Sequence, residues 1–174
     1  GKEWHAAFCE ISMPFLRDDI FPLDVKAAFG AHLKSRYGSA YADKLTGNSA
    51  SNTLNGAAGA DSLTGGDGSD IYYVDNAGDI VSETNAVAST GGTDIVYSTL
   101  SSYALTSNVE NGRIIASGAA NLVGNTLDNV LFASAGNNVL NGSSGTDTAN
   151  YQYATAAVNA SLAITTAQAT SGSG

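Results

Sequence analysis

The chain has 174 residues, of which 13% are charged and 20 are glycine, and its formal net charge is −9. This acidity argues against a nucleic-acid-binding protein, which needs a basic face, and the single cysteine, Cys9, excludes an internal disulfide framework. No apolar run approaches the roughly 18 residues of a membrane span. The charge is also uneven, because residues 45–174 hold ten acidic residues and only one basic residue, Arg113.

The first 37 residues differ in pattern from the rest and predict a short helical segment. A helix is expected over residues 23–36, because Pro22 and Asp24 can begin it and apolar residues then recur every four positions. Residues 1–37 are therefore interpreted either as a helical cap on the remainder of the chain or as the end of a preceding domain.

Nine-residue units stand end to end from residue 38 to residue 73. They read GSAYADKLT, GNSASNTLN, GAAGADSLT and GGDGSDIYY. The sixth position of each unit is a carboxylate or an amide, and the eighth is a bulky apolar residue. The sixth positions are Asp43, Asn52, Asp61 and Asp70, and the eighth positions are Leu45, Leu54, Leu63 and Tyr72. Looser units carry Asp79 and Asp94 in the same phase and extend this first array to residues 38–97.

A second array occupies residues 124–150 and keeps the same period. Its units read GNTLDNVLF, ASAGNNVLN and GSSGTDTAN, and their sixth positions are Asn129, Asn138 and Asp147. Residues 98–123, between the arrays, are expected to form connecting coils. Residues 151–174 are expected to supply a closing strand, because apolar residues alternate up to residue 165, and then a flexible tail, ATSGSG.

Each unit divides into a six-residue turn and a three-residue strand. Glycine, asparagine and aspartate favour tight turns, and only the middle residue of the strand points inward. Three residues make a strand that is stable only when it is stacked on copies of itself. The period therefore predicts an all-β fold, a parallel β-roll or β-solenoid in which two units make one coil.

An antiparallel sandwich or barrel is the structural alternative, because short apolar runs between Asn-Gly pairs also predict hairpins. Such pairs stand at residues 55–56, 111–112 and 141–142. A hairpin protein has no reason to keep a carboxylate or amide at one phase of four contiguous units, so the pattern favours the roll.

Two units per coil place turns on the same edge every 18 residues, so the sixth-position side chains stack. A calcium ion between two stacked turns would receive one side-chain oxygen from each, and turn carbonyls would supply the rest. The absence of Cys and His from the repeats argues against zinc or copper. Without a cation the stacked acidic turns repel one another, so we expect the repeat region to fold on calcium binding.

The units resemble the RTX, or haemolysin-type, calcium-binding nonapeptide GGxGxDxUx, where U is a large apolar residue. GGDGSDIYY matches it best, and GAAGADSLT and GSSGTDTAN keep the fourth-position glycine and the sixth-position aspartate. The resemblance covers roughly residues 38–165. It implies a right-handed parallel β-roll, calcium ions between the turns, and export from a bacterium by a type I secretion system.

The resemblance also implies ligand sets, each with two stacked side chains and four turn carbonyls. The first is Asp61 and Asp79 with the carbonyls of Ala57, Gly59, Val74 and Asn76; the second is Asn52 and Asp70 with those of Asn48, Ala50, Gly65 and Asp67. The third is Asp43 and Asp61 with the carbonyls of Ser39, Tyr41, Gly56 and Ala58; the fourth is Asn129 and Asp147 with those of Asn125, Leu127, Gly142 and Ser144. Because asparagine replaces aspartate in the second array, that array is expected to be poor in metal and held by asparagine side chains.

The sequence predicts a non-catalytic, calcium-binding structural module of a secreted bacterial protein. His5 and Cys9 are four residues apart, but no third group orients them as a catalytic pair, and zinc-protease and serine-hydrolase motifs are absent. Two alternatives stay open: the C-terminal part of a secreted protease, lipase or polysaccharide-acting enzyme, or a segment of an adhesin. The expected partners are calcium ions, the type I secretion machinery and attached catalytic or adhesive domains, with no nucleic acid.

Overall fold

The computed structural model describes residues 35–85, 87, 89–155 and 168–170. The helix predicted over residues 23–36 lies outside this part of the chain except for its last two residues. That prediction is wrong for Ser35 and Arg36, which belong to the first strand and pair in parallel with Thr53 and Leu54. Pairing with a neighbouring strand decides the conformation here, because local propensity is a weaker influence than tertiary context.

Every regular element in the described residues is a β-strand, and each strand has three or four residues. In chain order they are β1 Ser35–Tyr37, β2 Lys44–Thr46, β3 Thr53–Asn55, β4 Ser62–Thr64, β5 Ile71–Val74, β6 Ile80–Ser82, β7 Ile95–Ser98, β8 Ser102–Ala104, β9 Asn111–Ile114, β10 Ala120–Val123, β11 Val130–Phe132, β12 Asn138–Asn141, β13 Thr148–Asn150 and β14 Gln168–Thr170. Within the same residues, no helix has the length and apolar character of a membrane span.

Successive strands alternate between two faces of a coil. The odd-numbered strands from β1 to β13 form one seven-stranded sheet, whereas β2, β4 and β6 form a second sheet and β8, β10, β12 and β14 a third. All pairs except β12 with β14 are parallel. The predicted parallel β-solenoid is therefore confirmed, with about six turns.

The interior is a single column of apolar side chains that rises through the coils. The eighth-position residues Leu54, Leu63 and Tyr72 are fully buried, and their strand neighbours are only partly buried. Leu122, Leu131 and Leu140 continue the column towards the C-terminus. The three-residue strands β3, β4, β6 and β11 bury only their middle residue, whereas the four-residue strands β5 and β9 also bury Val74 and Ile114.

The nine-residue period is interrupted between β6 and β7. The β5–β7 register pairs Tyr72 with Val96, 24 residues on, where undisturbed pairs such as Leu54 with Tyr72 are 18 apart. The turn from 83 to 94 holds the extra residues. The sheet on that face also stops at β6 and begins again at β8, so the insertion separates two blocks of one solenoid.

The C-terminal end is completed by a strand that runs against the others. Strand β14 pairs antiparallel with β12, and it includes Ala169 and Thr170, the first residues of the segment expected to be a flexible tail. The closing strand expected up to residue 165 falls mostly outside the described residues, which end at residue 155 before β14.

Candidate metal centres

The turns between strands stack in two columns, one along each edge of the roll. Edge A contains the turns that lead into the seven-stranded sheet: 47–52, 65–70, 83–94, 105–110, 124–129 and 142–147. Edge B contains the turns that leave it: 38–43, 56–61, 75–79, 99–101, 115–119 and 133–137. Each predicted ligand set lies within two neighbouring turns of one edge, except that Val74 of the first set is the last residue of β5.

Edge B brings together Asp43, Asp61 and Asp79, as the sequence predicted. The backbone N–H of Asp43 donates to Oδ1 of Asp61 at 2.8 Å, and the N–H of Asp61 donates to Oδ1 of Asp79 at 3.0 Å. Each carboxylate is thus fixed to the turn one coil earlier. The second oxygen of Asp79 accepts the amides of Asp75 and Asn76, whereas Oδ2 of the buried Asp61 has no hydrogen-bond partner among the described residues.

Edge A repeats the arrangement over more coils. The N–H of Asn52 donates to Oδ1 of Asp70 at 2.7 Å, and the N–H of Asp70 donates to Oδ1 of Asp94 at 2.7 Å. In the next coil, the N–H of Asp94 donates to Oε2 of Glu110 at 2.8 Å. Asp94 and Glu110 are absent from the predicted ligand sets, because their separations of 24 and 16 residues do not fit the 18-residue coil.

The fourth predicted pair is also brought together on edge A. The N–H of Asn129 donates to Oδ1 of Asp147 at 2.9 Å. Asn129 is buried, whereas Asp147 is only partly buried near the end of the described coils.

The predicted carbonyl ligands lie in turns that stack position on position. A Cβ added at Gly66 would lie 3.1 Å from the carbonyl oxygen of Asn48, and one added at Gly68 would lie 2.7 Å from the carbonyl carbon of Ala50. Gly68 also has a φ of 96°, which disfavours other residues. Gly59 lies in the same way against the carbonyl group of Tyr41. Glycine at these positions lets consecutive turns approach closely enough to share a ligand.

The acidic turns carry negative charge that is poorly compensated. Burial, with the neighbouring charges of Asp79 and Asp43, raises the pKa of Asp61. Burial also raises the pKa of Asp70 to about 6 and, with the charges of Asp70 and Glu110, that of Asp94 to about 7. Desolvation and repulsion both disfavour the ionised carboxylates. A cation would offset both effects, and an all-oxygen donor set suits calcium.

Glu83 is a buried acidic residue that the sequence analysis did not predict as a ligand. It is 7% exposed and follows β6 directly, at the first position of its turn, where the preceding turns of edge A have glycine. Its Oε2 atom has no hydrogen-bond partner among the described residues. The sequence did contain one signal for Glu83, since a glutamate stands where the preceding turns begin with glycine. However, Glu83 lies 13 residues after Asp70, which is not a multiple of the nine-residue period.

Two of the three turns of the second array are closed by amides, those of Asn129 and Asn138. Oδ1 of Asn129 accepts the N–H of Asn125 at 2.8 Å, and its Nδ2 donates to the carbonyls of Glu110 at 3.0 Å and Val109 at 3.2 Å. Asn138 similarly accepts the N–H of Ser134 at 3.0 Å. These side chains satisfy both of their polar ends within the protein.

The family model for the RTX calcium-binding nonapeptide repeat matches the chain in four copies, over residues 37–81 and 117–150. The two matched segments are repeats of this family, and the resemblance seen in the sequence is confirmed. Repeats of this family bind Ca²⁺ and form a β-roll. Searches of the curated proteins and of the solved structures gave no match.

Proposed function

We propose that this chain is a calcium-dependent structural module, in which calcium ions bind between stacked turns and allow the β-roll to fold. The observation that carries the proposal is the stack of carboxylates along both edges. Asp61 and Asp70 each keep a buried oxygen without a hydrogen-bond partner among the described residues. An unpaired buried carboxylate is strongly unfavourable, and a divalent cation between the turns supplies the missing partner.

The proposed ions lie between Asp61 and Asp79, between Asn52 and Asp70, and between Asp43 and Asp61, each with carbonyls of the same two turns. The hydrogen bonds that join each pair across 18 residues support these sets. A fourth site between Asn129 and Asp147 is weaker, because Nδ2 of Asn129 also donates to the carbonyls of Val109 and Glu110 and because Asp147 is only partly buried.

A fold that requires calcium suits a bacterial protein that crosses the membrane unfolded through a type I secretion system. Calcium affinities of extracellular modules are on the order of 10⁻⁴–10⁻³ M, so low cytosolic calcium keeps such a module unfolded before export. Outside the cell, the folded roll would then stabilise or extend the polypeptide to which it is attached.

Far-ultraviolet circular dichroism of the full chain tests the folding part of the proposal. We expect a largely unfolded spectrum in chelator, with a residual β signal from the second array, and a full β spectrum after addition of millimolar calcium. An unchanged β spectrum in chelator would contradict the proposal, because the acidic turns would then stack without a cation.

Calcium titration by calorimetry tests the site assignment. Asp61→Ala and Asp70→Ala are each expected to lose one to two ions per chain, since each carboxylate faces two neighbouring turns. Asp128→Ala is the matched control, because the side chain of Asp128 is exposed and its one hydrogen bond among the described residues is accepted from the N–H of Thr146. Unchanged stoichiometry in both site variants would remove the assignment.

A further inference from the structure

Three buried carboxylates converge at the interruption of the repeat. Asp70 is 0% exposed, Asp94 is 1% exposed and Glu83 is 7% exposed. One oxygen from each lies within 4.8 Å of the others. Residues 82–116 separate the two segments that match the repeat family, so two of the three acids stand outside the recognised repeats.

The fold creates the space for this cluster at Gly65. A Cβ added at Gly65 would collide with Oδ2 of Asp70, Oε1 of Glu83 and the hydroxyl of Tyr72. Glu83 begins the inserted turn 83–94, which lies against the turn 65–70 through the hydrogen bond between Asp94 and Asp70. The absence of a side chain on one turn therefore leaves room for the glutamate of the next.

Hydrogen bonds hold one oxygen of each acid in place. The hydroxyl of Tyr72 donates to Oε1 of Glu83, while the amides of Asn52 and Asp70 donate to Oδ1 of Asp70 and of Asp94. Oδ2 of Asp70 and Oε2 of Glu83 are buried and have no hydrogen-bond partner among the described residues. Oδ2 of Asp70 shares the space beside Gly65 with Oε1 of Glu83, so the unpartnered oxygen of Asp70 is aimed into the cluster.

We propose that Asp70, Glu83 and Asp94 together bind a calcium ion in a buried, all-carboxylate site that the repeat pattern does not encode. The proposal rests on the proposed function because it shares the ion and Asp70, and it adds Glu83 and Asp94 as ligands. Because no two of the three oxygens are more than 4.8 Å apart, the cluster is compact enough for all three carboxylates to reach one ion. Calcium is the expected ion because it takes six to eight oxygen ligands in flexible geometry.

The three formal negative charges set this site apart from the turn pairs. The neighbouring set of Asn52 and Asp70 has one carboxylate and one amide, and the set of Asp61 and Asp79 has two carboxylates. Because affinity rises with the number of charged ligands and with the rigidity of the site, this cluster is expected to fill first as calcium is added.

Calorimetry and native mass spectrometry of the full chain, titrated with calcium alone, compare the wild type with Glu83→Gln. Glutamine keeps the size of the side chain and can accept the hydrogen bond from Tyr72, but it removes the charge. We expect Glu83→Gln to lose one ion per chain, the first to bind, and to keep the other ions and the β spectrum at saturating calcium. Asp128→Asn, which removes one exposed charge, is expected to bind as the wild type does.

Calcium binding by Glu83→Gln and by the wild type tests the three-carboxylate site separately from the proposed function. Wild-type stoichiometry and affinity in Glu83→Gln overturn the inference and leave the proposed function standing. A wild-type chain that binds no calcium overturns both. If Glu83→Gln does not fold, crystals of the calcium-saturated wild type decide: an ion about 2.3–2.6 Å from all three carboxylates supports the site, and its absence there refutes it.

Discussion

The two repeat arrays build the same coil with different chemistry at the sixth position. In the first array, Asp61 is buried and keeps one oxygen without a hydrogen-bond partner among the described residues, and its pKa is raised. In the second, Asn129 is equally buried, and its amide bonds to backbone groups at both ends. An amide both donates and accepts, so Asn129 satisfies its turn by itself, whereas a carboxylate only accepts and the buried Asp61 needs a cation for its second oxygen.

The largest expected effect is a pH dependence that reverses with calcium. Burial raises the pKa of Asp70 to about 6, of Asp94 to about 7 and, with the charges of Asp94 and Asp70, of Glu83 to about 8. A pKa raised by folding means that the folded state binds the proton more tightly. The calcium-free fold is therefore most stable below about pH 4 and loses this stability as pH rises through about 6 to 8.

With calcium bound the sign is opposite, because protons compete with the ion for the same oxygens. Thermal unfolding followed by circular dichroism between pH 4 and pH 8, in chelator and in calcium, checks this prediction. Parallel pH profiles in the two conditions would contradict it.

Core substitutions test whether the arrays differ only at their turns. Leu63→Ala in the first array and Leu131→Ala in the second each remove a buried side chain from the same column. Each is expected to lower the free energy of unfolding by about 2–5 kcal/mol in saturating calcium. Denaturant unfolding measures both. A much smaller cost in one array would show that its core, as well as its turns, is different.

A smaller effect is expected when an amide turn is made acidic. Asn129→Asp removes the donor that bonds to the carbonyls of Val109 and Glu110 and places a charge beside them. In chelator it should cost about 1–3 kcal/mol, the range for a buried polar group left without its partner. Part of this loss should return with calcium, because the new pair with Asp147 has two carboxylates.

The control for that variant is Asp128→Asn at the preceding, exposed position, which is expected to change stability by less than about 0.5 kcal/mol. Equal responses of Asn129→Asp to chelator and to calcium would contradict the idea that the residue type at position six decides whether a turn needs metal.

The repeat period predicted most of the fold and most of the proposed ligands. It identified the strands around Leu54, Leu63 and Tyr72, their inward residues, and the pairs that stack 18 residues apart. These features follow from local turn chemistry and a fixed period, so they are visible in the sequence.

The remaining features depend on contacts between parts of the chain that no period relates. Glu83 and Asp94 meet Asp70 because an insertion folds over one particular turn. Glu110 reaches Asp94 across 16 residues, and Ser35 is a strand residue only because β3 is available to pair with it. Such contacts arise from the tertiary structure, and the sequence alone gives no spacing by which to find them.

Hydrogen–deuterium exchange of the full chain, in chelator and in millimolar calcium, tests the central claim most directly. We predict that the amides of β3 to β6, between the acidic turns, are protected only in calcium, and that those of β10 to β12 lose much less protection in chelator. Equal protection of β3 to β6 in both conditions would contradict the claim that calcium holds the acidic turns together.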